Sequence, residues 1–258
     1  ESPLLDKIDV YVRHADGHIV QQTAGDHLPF STRPVAYRYP NVWLDLPLGQ
    51  PVELLLRVQS GSSIQMPLML YAPGAFASAA ANDQIAAGIY YGCLIAMLLF
   101  NLLLWNGLRD QGYLWYALSL VGAGMAVLSL YGVGYQYVWP ESLWWQERAP
   151  AVSACLAHVF ANQFNRSFLD LRQRWRLGDQ ISLAIVIVLS ILMLVFIWVP
   201  SSISYRVITA LALPSSIWLL LVNIKVLRDG YKPARYAMLA WVALLAGAIS
   251  YPLYAMGI

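Results

Sequence analysis

Charge is scarce in this chain. Only 12% of its 258 residues are Asp, Glu, Lys or Arg, while 59% are hydrophobic. A soluble domain carries about 25% charged residues, so the sequence lacks the polar surface that water would demand. Cysteine is nearly absent too. Cys93 and Cys155 both fall in apolar stretches, which excludes a disulfide framework and leaves two small apolar side chains. The net charge of +2 gives no footprint for nucleic acid. The sequence contains no G-x-S-x-G, no H-E-x-x-H, no Walker loop and no G-x-G-x-x-G. No catalytic residue, cofactor or metal is therefore expected. His14 and His18 are four apart but flank an Asp16-Gly17 hairpin signal, and metal binding is not assigned to them. The chain opens at Glu1 without a signal-peptide pattern and reads as a processed or trimmed product.

The few charges are placed with a pattern. Of the eleven Lys and Arg after position 82, eight sit in three short loops: Arg109; Arg172, Arg174 and Arg176; and Lys225, Arg228, Lys232 and Arg235. The alternate loops carry only Arg148 and Arg206, and Arg166 falls near the inner end of a helix. Cytoplasmic loops retain Lys and Arg while translocated loops lack them, so the chain reads as a polytopic membrane protein with its basic loops inside. Six stretches approach the ~20 residues that a bilayer core requires: about 84–106, 113–137, 147–168, 180–199, 203–226 and 234–256. Tyr135, Tyr137, Trp139, Trp144 and Trp145 cluster where the second and third spans meet the outer interface.

Residues 1–71 read differently. Period-2 alternation and Gly/Pro/Ser punctuation suggest strands at 8–14, 18–23, 43–46, 52–59 and 64–71. The expected fold is a partial β-sandwich or jelly roll. A small-residue segment, 72–81, reads as a short tether to a helical bundle at 82–258. With the basic loops inside, the β domain is extracytoplasmic.

Three groups of residues stand out. Tyr11, Tyr37, Tyr39 and Trp43, with Arg38, could form an aromatic and basic ligand surface; alternating aromatics in a sandwich also serve as core. In the third span His158, Asn162 and Asn165 form one helical stripe, with Gln163 and Arg166 beside it. Polar groups are costly in hydrocarbon, so the stripe should face protein or water. It reads either as a relay or small-ligand pocket or as interhelical hydrogen bonding to Asn101 and Asn223. Gly88, Gly92 and Ala96, and likewise Ala243 and Gly247, are spaced as small-xxx-small faces that permit close helix packing. Whether such a face slides in signalling or merely packs stays open.

The run from Gly88 through Tyr90, Tyr91 and Gly92, with Asn101 in the middle and Arg109, Asp110, Tyr113, Leu114 and Tyr116 at the turn, resembles the bacterial seven-transmembrane receptors with diverse intracellular signalling modules. Gly132-Val133-Gly134-Tyr135-Gln136-Tyr137-Val138-Trp139-Pro140 continues the likeness. The strings around residues 3–11, Gly25-Asp26, Arg33-Pro34 and 56–60 resemble the later part of that family's jelly-roll sensor domain. The resemblance covers essentially the whole chain. It implies a sensor in the bacterial inner membrane, with its β domain in the periplasm. Such a sensor would perceive a small, carbohydrate-like ligand and relay it to a cytoplasmic effector in cis, a diguanylate cyclase (cyclic di-GMP signalling) or histidine kinase. The opening jelly-roll strands, a seventh span and the effector are expected to be missing. Homodimerisation stays open. A small-solute transporter using the polar stripe, or a scaffold binding a partner protein through the β domain, are the other classes in view.

Overall fold

The computed structural model describes residues 5–47, 49–60, 68–239 and 242. Alternation sets up strand β1 (Lys7–Arg13), which places Val10 and Val12 on one face and Asp9 and Tyr11 on the other. β1 is the middle of three antiparallel strands. Val12 lies opposite Val20 of β2 (Ile19–Ala24) on one side and Leu54 of β3 (Glu53–Gln59) on the other. Asp9 is buried but paired. It accepts from the Thr23 hydroxyl at 2.8 Å and meets Lys7 at 3.2 Å, and the Thr23 hydrogen bond leads in holding its carboxyl below the usual range.

Among the described residues the sheet has three strands, not the longer series expected. Residues 43–46 run irregularly. Pro40 and Pro47 flank that stretch, and a proline cannot donate to a ladder. Of the expected strand 64–71, residues 64–67 lie outside the described residues and 68–71 are irregular.

The expected tether is in fact helix. Helix α1 runs from Pro73 to Leu108, with Pro in its first turn. Proline is pre-organised for that position, and alanine, which dominates 72–81, is the strongest helix former. Thirty-six residues at ~1.5 Å each give about 54 Å, well beyond the ~30 Å of a hydrocarbon core. The outer turns of α1 therefore stand clear of the membrane and face the β domain.

The α1–α2 turn explains the Arg-Asp pair. Arg109 adopts a left-handed conformation (φ 56°), and its N–H donates to the Trp105 carbonyl at 2.8 Å. Asp110 then caps α2 (Gln111–Leu130), accepting from the Gly112 N–H at 2.8 Å. The expected span 113–137 is two helices, because the chain turns at Tyr131–Gly132 before a short α3 (Val133–Tyr137). Then follow α4 (Leu143–Phe168), a short α5 (Leu171–Arg174), α6 (Arg176–Val195) and α7 (Ser201–Arg228). Residues 234–239 are helical, and the rest of the expected sixth span, with Ala243 and Gly247, lies outside the described residues.

Four described helices, α1, α2, α6 and α7, are long and apolar enough to cross a membrane. Helix α4 is the polar one, and it packs against α2, α6 and α7. Surrounded by protein on three sides, its polar groups are solvated by neighbours and not by lipid. Gly122 allows the α2 approach: a Cβ there would lie 2.8 Å from the Ala157 Cα. Helix α1 stands outermost, against α2. Gly88, Gly92 and Ala96 are exposed, and a Cβ added at either glycine meets nothing within 4 Å. Among the described residues no helix occupies that face.

At the inner end the basic loops are folded. Leu169 and Leu171 pack with Val222, Val226 and Ala234. The Arg174 guanidinium sits 3.9 Å above the Tyr231 ring. Arg166 forks onto Asp179 at 2.7 and 3.2 Å.

Candidate functional site at the junction of β domain and helix ends

The β domain is fastened to the outer ends of the helices along a continuous seam. At its centre is Arg33, only 8% exposed. Its Nη1 donates to the Tyr37 and Arg38 carbonyls at 2.7 and 2.8 Å, and its guanidinium lies over the rings of Phe30 and Tyr135 at 4.8 and 5.4 Å. Burial lowers the Arg33 pKa. From the bundle side, the Tyr135 hydroxyl donates to the Leu28 carbonyl at 2.5 Å and Gln136 donates to the Ala36 carbonyl at 3.2 Å. In the other direction, the Phe30 N–H donates to the Pro140 carbonyl at 3.0 Å. Arg33 thus shapes the loop that carries the next group.

That group is Tyr37, Arg38 and Tyr39. The Tyr37 hydroxyl donates to Asp83 of α1 at 2.5 Å, and Arg38 reaches the same carboxylate oxygen at 2.9 Å. Tyr37 meets the Tyr39 and Phe76 rings edge-on at 5.5 and 5.3 Å, and Arg38 lies over Tyr39 at 5.0 Å. Burial, then the Asp83 carboxylate, push the Tyr37 phenol well above its ordinary value. Phe76 and Asp83 are seven residues apart, two helical turns, so one face of α1 presents both to Tyr37.

Beside this contact lies a cavity of about 200 Å³, lined by Tyr37, Arg38, Gln84, Gly88, Tyr91 and Gln136 among others. Two polar atoms in its wall, Tyr91 Oη and Arg38 Nε, are buried without a hydrogen-bond partner. Buried polar groups are nearly always satisfied, so these two mark unspent capacity. The five surface residues expected from sequence divide here. Tyr37, Arg38 and Tyr39 come together. Tyr11 sits in β1 opposite Gln21 and Leu55, and Trp43 lies beside β2, where its carbonyl accepts from Gln22.

Across the seam from Tyr37 is a titratable cluster that sequence reading passed over. Asp26 and His27 follow β2, and Asp6 precedes β1. The Asp26 and His27 N–H groups donate to the Leu5 and Asp6 carbonyls at 2.9 and 3.1 Å. Gly25 makes this approach feasible: at φ 151°, a Cβ there would collide with the Asp6 carbonyl. Helix α4 adds Glu147, whose Oε1 is 3.5 Å from His27 Nε2. It also adds Gln146, whose Oε1 accepts from Trp139 Nε1 at 2.9 Å and whose amide nitrogen is buried without a partner. Burial first, offset by His27 and reinforced by Asp6, pushes the Asp26 carboxyl up to about 6. The sequence signal was the Gly25-Asp26-His27 string itself, legible only once its strand partners are known.

The intramembrane stripe lies between α4 and α7. His158 Nδ1 is 3.0 Å from the Ala154 carbonyl, and Nε2 is 3.3 Å from the Ala212 carbonyl and 3.4 Å from Ser216 Oγ. Asn162 donates to the His158 carbonyl and, at 3.3 Å, to Ser215 Oγ. Asn223 donates to Asn165 Oδ1 at 2.7 Å. These groups hold α7 to α4 beside Pro214, where α7 loses a backbone donor. Asn101 sits on α1 and donates to the Met97 carbonyl of its own helix. His14 and His18 stack across their hairpin with centroids 6.3 Å apart.

Two family models match the chain. Residues 1–72 match the domain described as 7TMR-DISM extracellular 2, and residues 83–258 match that described as 7TM diverse intracellular signalling. No curated protein and no solved structure matches it.

Proposed function

This chain belongs to the 7TMR-DISM family of transmembrane signalling receptors, and from that premise we propose that its ligand is read in the cavity between Arg38 and Tyr91. The chain is a multi-pass membrane protein with an extracellular domain. The finer reading is a periplasmic, small, carbohydrate-like ligand, sensed by a receptor of the bacterial inner membrane and relayed to a cytoplasmic effector of diguanylate cyclase or histidine kinase type.

One observation carries the location. The cavity wall is shared by the β domain (Tyr37, Arg38), α1 (Gln84, Gly88, Tyr91) and α3 (Gln136). A ligand there touches the sensor domain and the first span together, so it can favour one arrangement of the two over another. That differential affinity is the thermodynamic requirement for a signal. Its volume, about 200 Å³, falls below the ~300–1,000 Å³ usual for drug-sized ligands and suits a single ring bearing hydroxyl or carboxylate groups. Aromatic faces, an arginine and two amides are the chemistry such rings use.

The test is titration of the nanodisc-embedded chain with a panel of monosaccharides and uronic acids, followed by calorimetry. A saturable one-to-one binder is expected, weakened at least tenfold by Arg38→Ala and by Tyr91→Phe. Binding that survives both substitutions, or a panel with no binder, overturns the assignment. His158→Leu with Asn162→Leu separates the transport reading, since a transporter loses flux while ligand binding at the junction is unaffected.

A further inference from the structure

We propose that Asp6, Asp26, His27 and Glu147 form a binding site for a divalent transition-metal ion that bridges the extracellular domain to helix α4. Three of these residues come from the β domain and the fourth from the bundle, so a bound ion would cross-link the two. The proposal is independent of the ligand cavity, which lies on the other side of Arg33.

Geometry comes first. Asp6, Asp26 and His27 each offer a ligand atom, and these atoms all lie within 4.8 Å of one another. His27 Nε2 is 3.9 Å from Asp6 Oδ1 and 3.5 Å from Glu147 Oε1. Ligands held tetrahedrally at ~2.1 Å from zinc stand about 3.4 Å apart. The His27–Glu147 edge, at 3.5 Å, is already of that length, the His27–Asp6 edge needs about 0.5 Å of contraction, and the edges to Asp26, at no more than 4.8 Å, need up to about 1.4 Å, within reach of side-chain torsions. The backbone is set beforehand: the hydrogen bonds from the Asp26 and His27 N–H groups to the Leu5 and Asp6 carbonyls fix the two segments against each other.

The second observation is independent of the clustering. Asp26 is 5% exposed, and its Oδ1 is buried with no hydrogen-bond partner. The neighbouring Gln146 amide lowers the Asp26 carboxyl but completes no hydrogen bond to it; a carboxylate oxygen left so at that depth is costly, and a cation would satisfy it. Glu147 is divided in the way a bridging ligand would be. Its Oε2 takes Arg148 at 3.3 Å while Oε1 faces His27. Gln146, locked through Trp139, is placed to orient the Asp26 carboxylate from behind. The donor set is one imidazole and three carboxylates. That mixture suits zinc or manganese better than the all-oxygen shells of calcium and magnesium.

The experiment uses the full chain in nanodiscs, stripped with EDTA and titrated with Zn²⁺ alone by calorimetry. One ion per chain is expected to bind. His27→Gln, Asp26→Asn and Glu147→Gln should each weaken it at least tenfold, and His14→Ala with His18→Ala should leave it unchanged. Because Asp26→Asn alters a buried position, the partly exposed His27 and Glu147 carry the decision if that variant unfolds. Three results overturn the proposal. The first is loss of binding with the His14 and His18 pair and not with His27. The second is binding insensitive to Glu147→Gln, which removes the bridge. The third is no stoichiometric binding of Zn²⁺, which leaves a histidine–carboxylate cluster only.

Discussion

The Tyr37 hydroxyl donates to the Asp83 carboxylate at 2.5 Å across 46 residues of sequence, tying the loop of the extracellular domain to the projecting turns of the first span. Arg38 binds the same oxygen at 2.9 Å. Helix α1 is unbroken from Pro73 to Leu108, so a displacement imposed at Asp83 would be carried along one continuous element toward the membrane. Asp83→Ala leaves the Tyr37 phenol and Arg38 without their shared acceptor. Asp83 is nearly half exposed, which discounts the pair to about 1–2 kcal/mol. Hydrogen exchange across residues 33–39 should quicken correspondingly, by about tenfold, with little change in α4; unchanged exchange removes Asp83 from the coupling route.

Gly25→Ala tests the backbone under the acidic cluster. At φ 151° a side chain is strained, and its Cβ would strike the Asp6 carbonyl. A loss of about 2–4 kcal/mol in the extracellular domain is expected, read as a lowered thermal midpoint. Gly17→Ala, whose Cβ meets nothing within 4 Å, should cost less.

Asp26 predicts a pH dependence in EDTA-treated protein. Its folded carboxyl is raised to about 6, above its ordinary value near 4, so the folded state holds the proton more tightly than the unfolded one. The stabilisation is full below about pH 4 and is lost as pH rises through about 6. It amounts to at most about 3 kcal/mol. Asp6, His27, Arg33, Gln146, Tyr135 and Tyr205 face the same group, and Glu147 faces His27 beside it. The Asp26→Asn variant isolates its share: the wild type should gain thermal stability between pH 7.5 and 5 relative to that variant, and parallel curves would remove the assignment.

The Asn165–Asn223 hydrogen bond, at 2.7 Å and fully buried, lends itself to a double-mutant cycle. Interhelical hydrogen bonds in membranes average about 0.6 kcal/mol and reach about 1.7. Asn223→Leu alone should cost about 1–2 kcal/mol, because Asn165 keeps an unsatisfied group. With Asn165→Leu added, part of that loss should return. Additive losses would show that the two asparagines act separately.

The membrane character, the extracellular placement of the first domain and the polar helix were legible because each depends on composition, charge placement or a short period. Arg109 and Asp110 were legible as a motif, and the structure supplies the cause: a left-handed turn residue followed by a helix cap. Helicity at 72–81 was missed although its alanines argue for it, because small residues with one Pro and one Gly also suit a tether. The break at Tyr131–Gly132 was hidden within a continuous apolar run.

The sequence by itself determined what the solvent is and which way the chain crosses it, since lipid selects on apolar length and charge alone. Only the tertiary structure decided which distant residues meet. Tyr37 finds Asp83, and His27 finds Asp6 and the α4 glutamate, because hydrogen bonds and ion pairs act over a few ångströms. No local pattern records a partner 20 or more positions away. The aromatic set expected as one surface was therefore divided, and the junction with its cavity and its acidic cluster emerged only when the sheet was set against the helix ends.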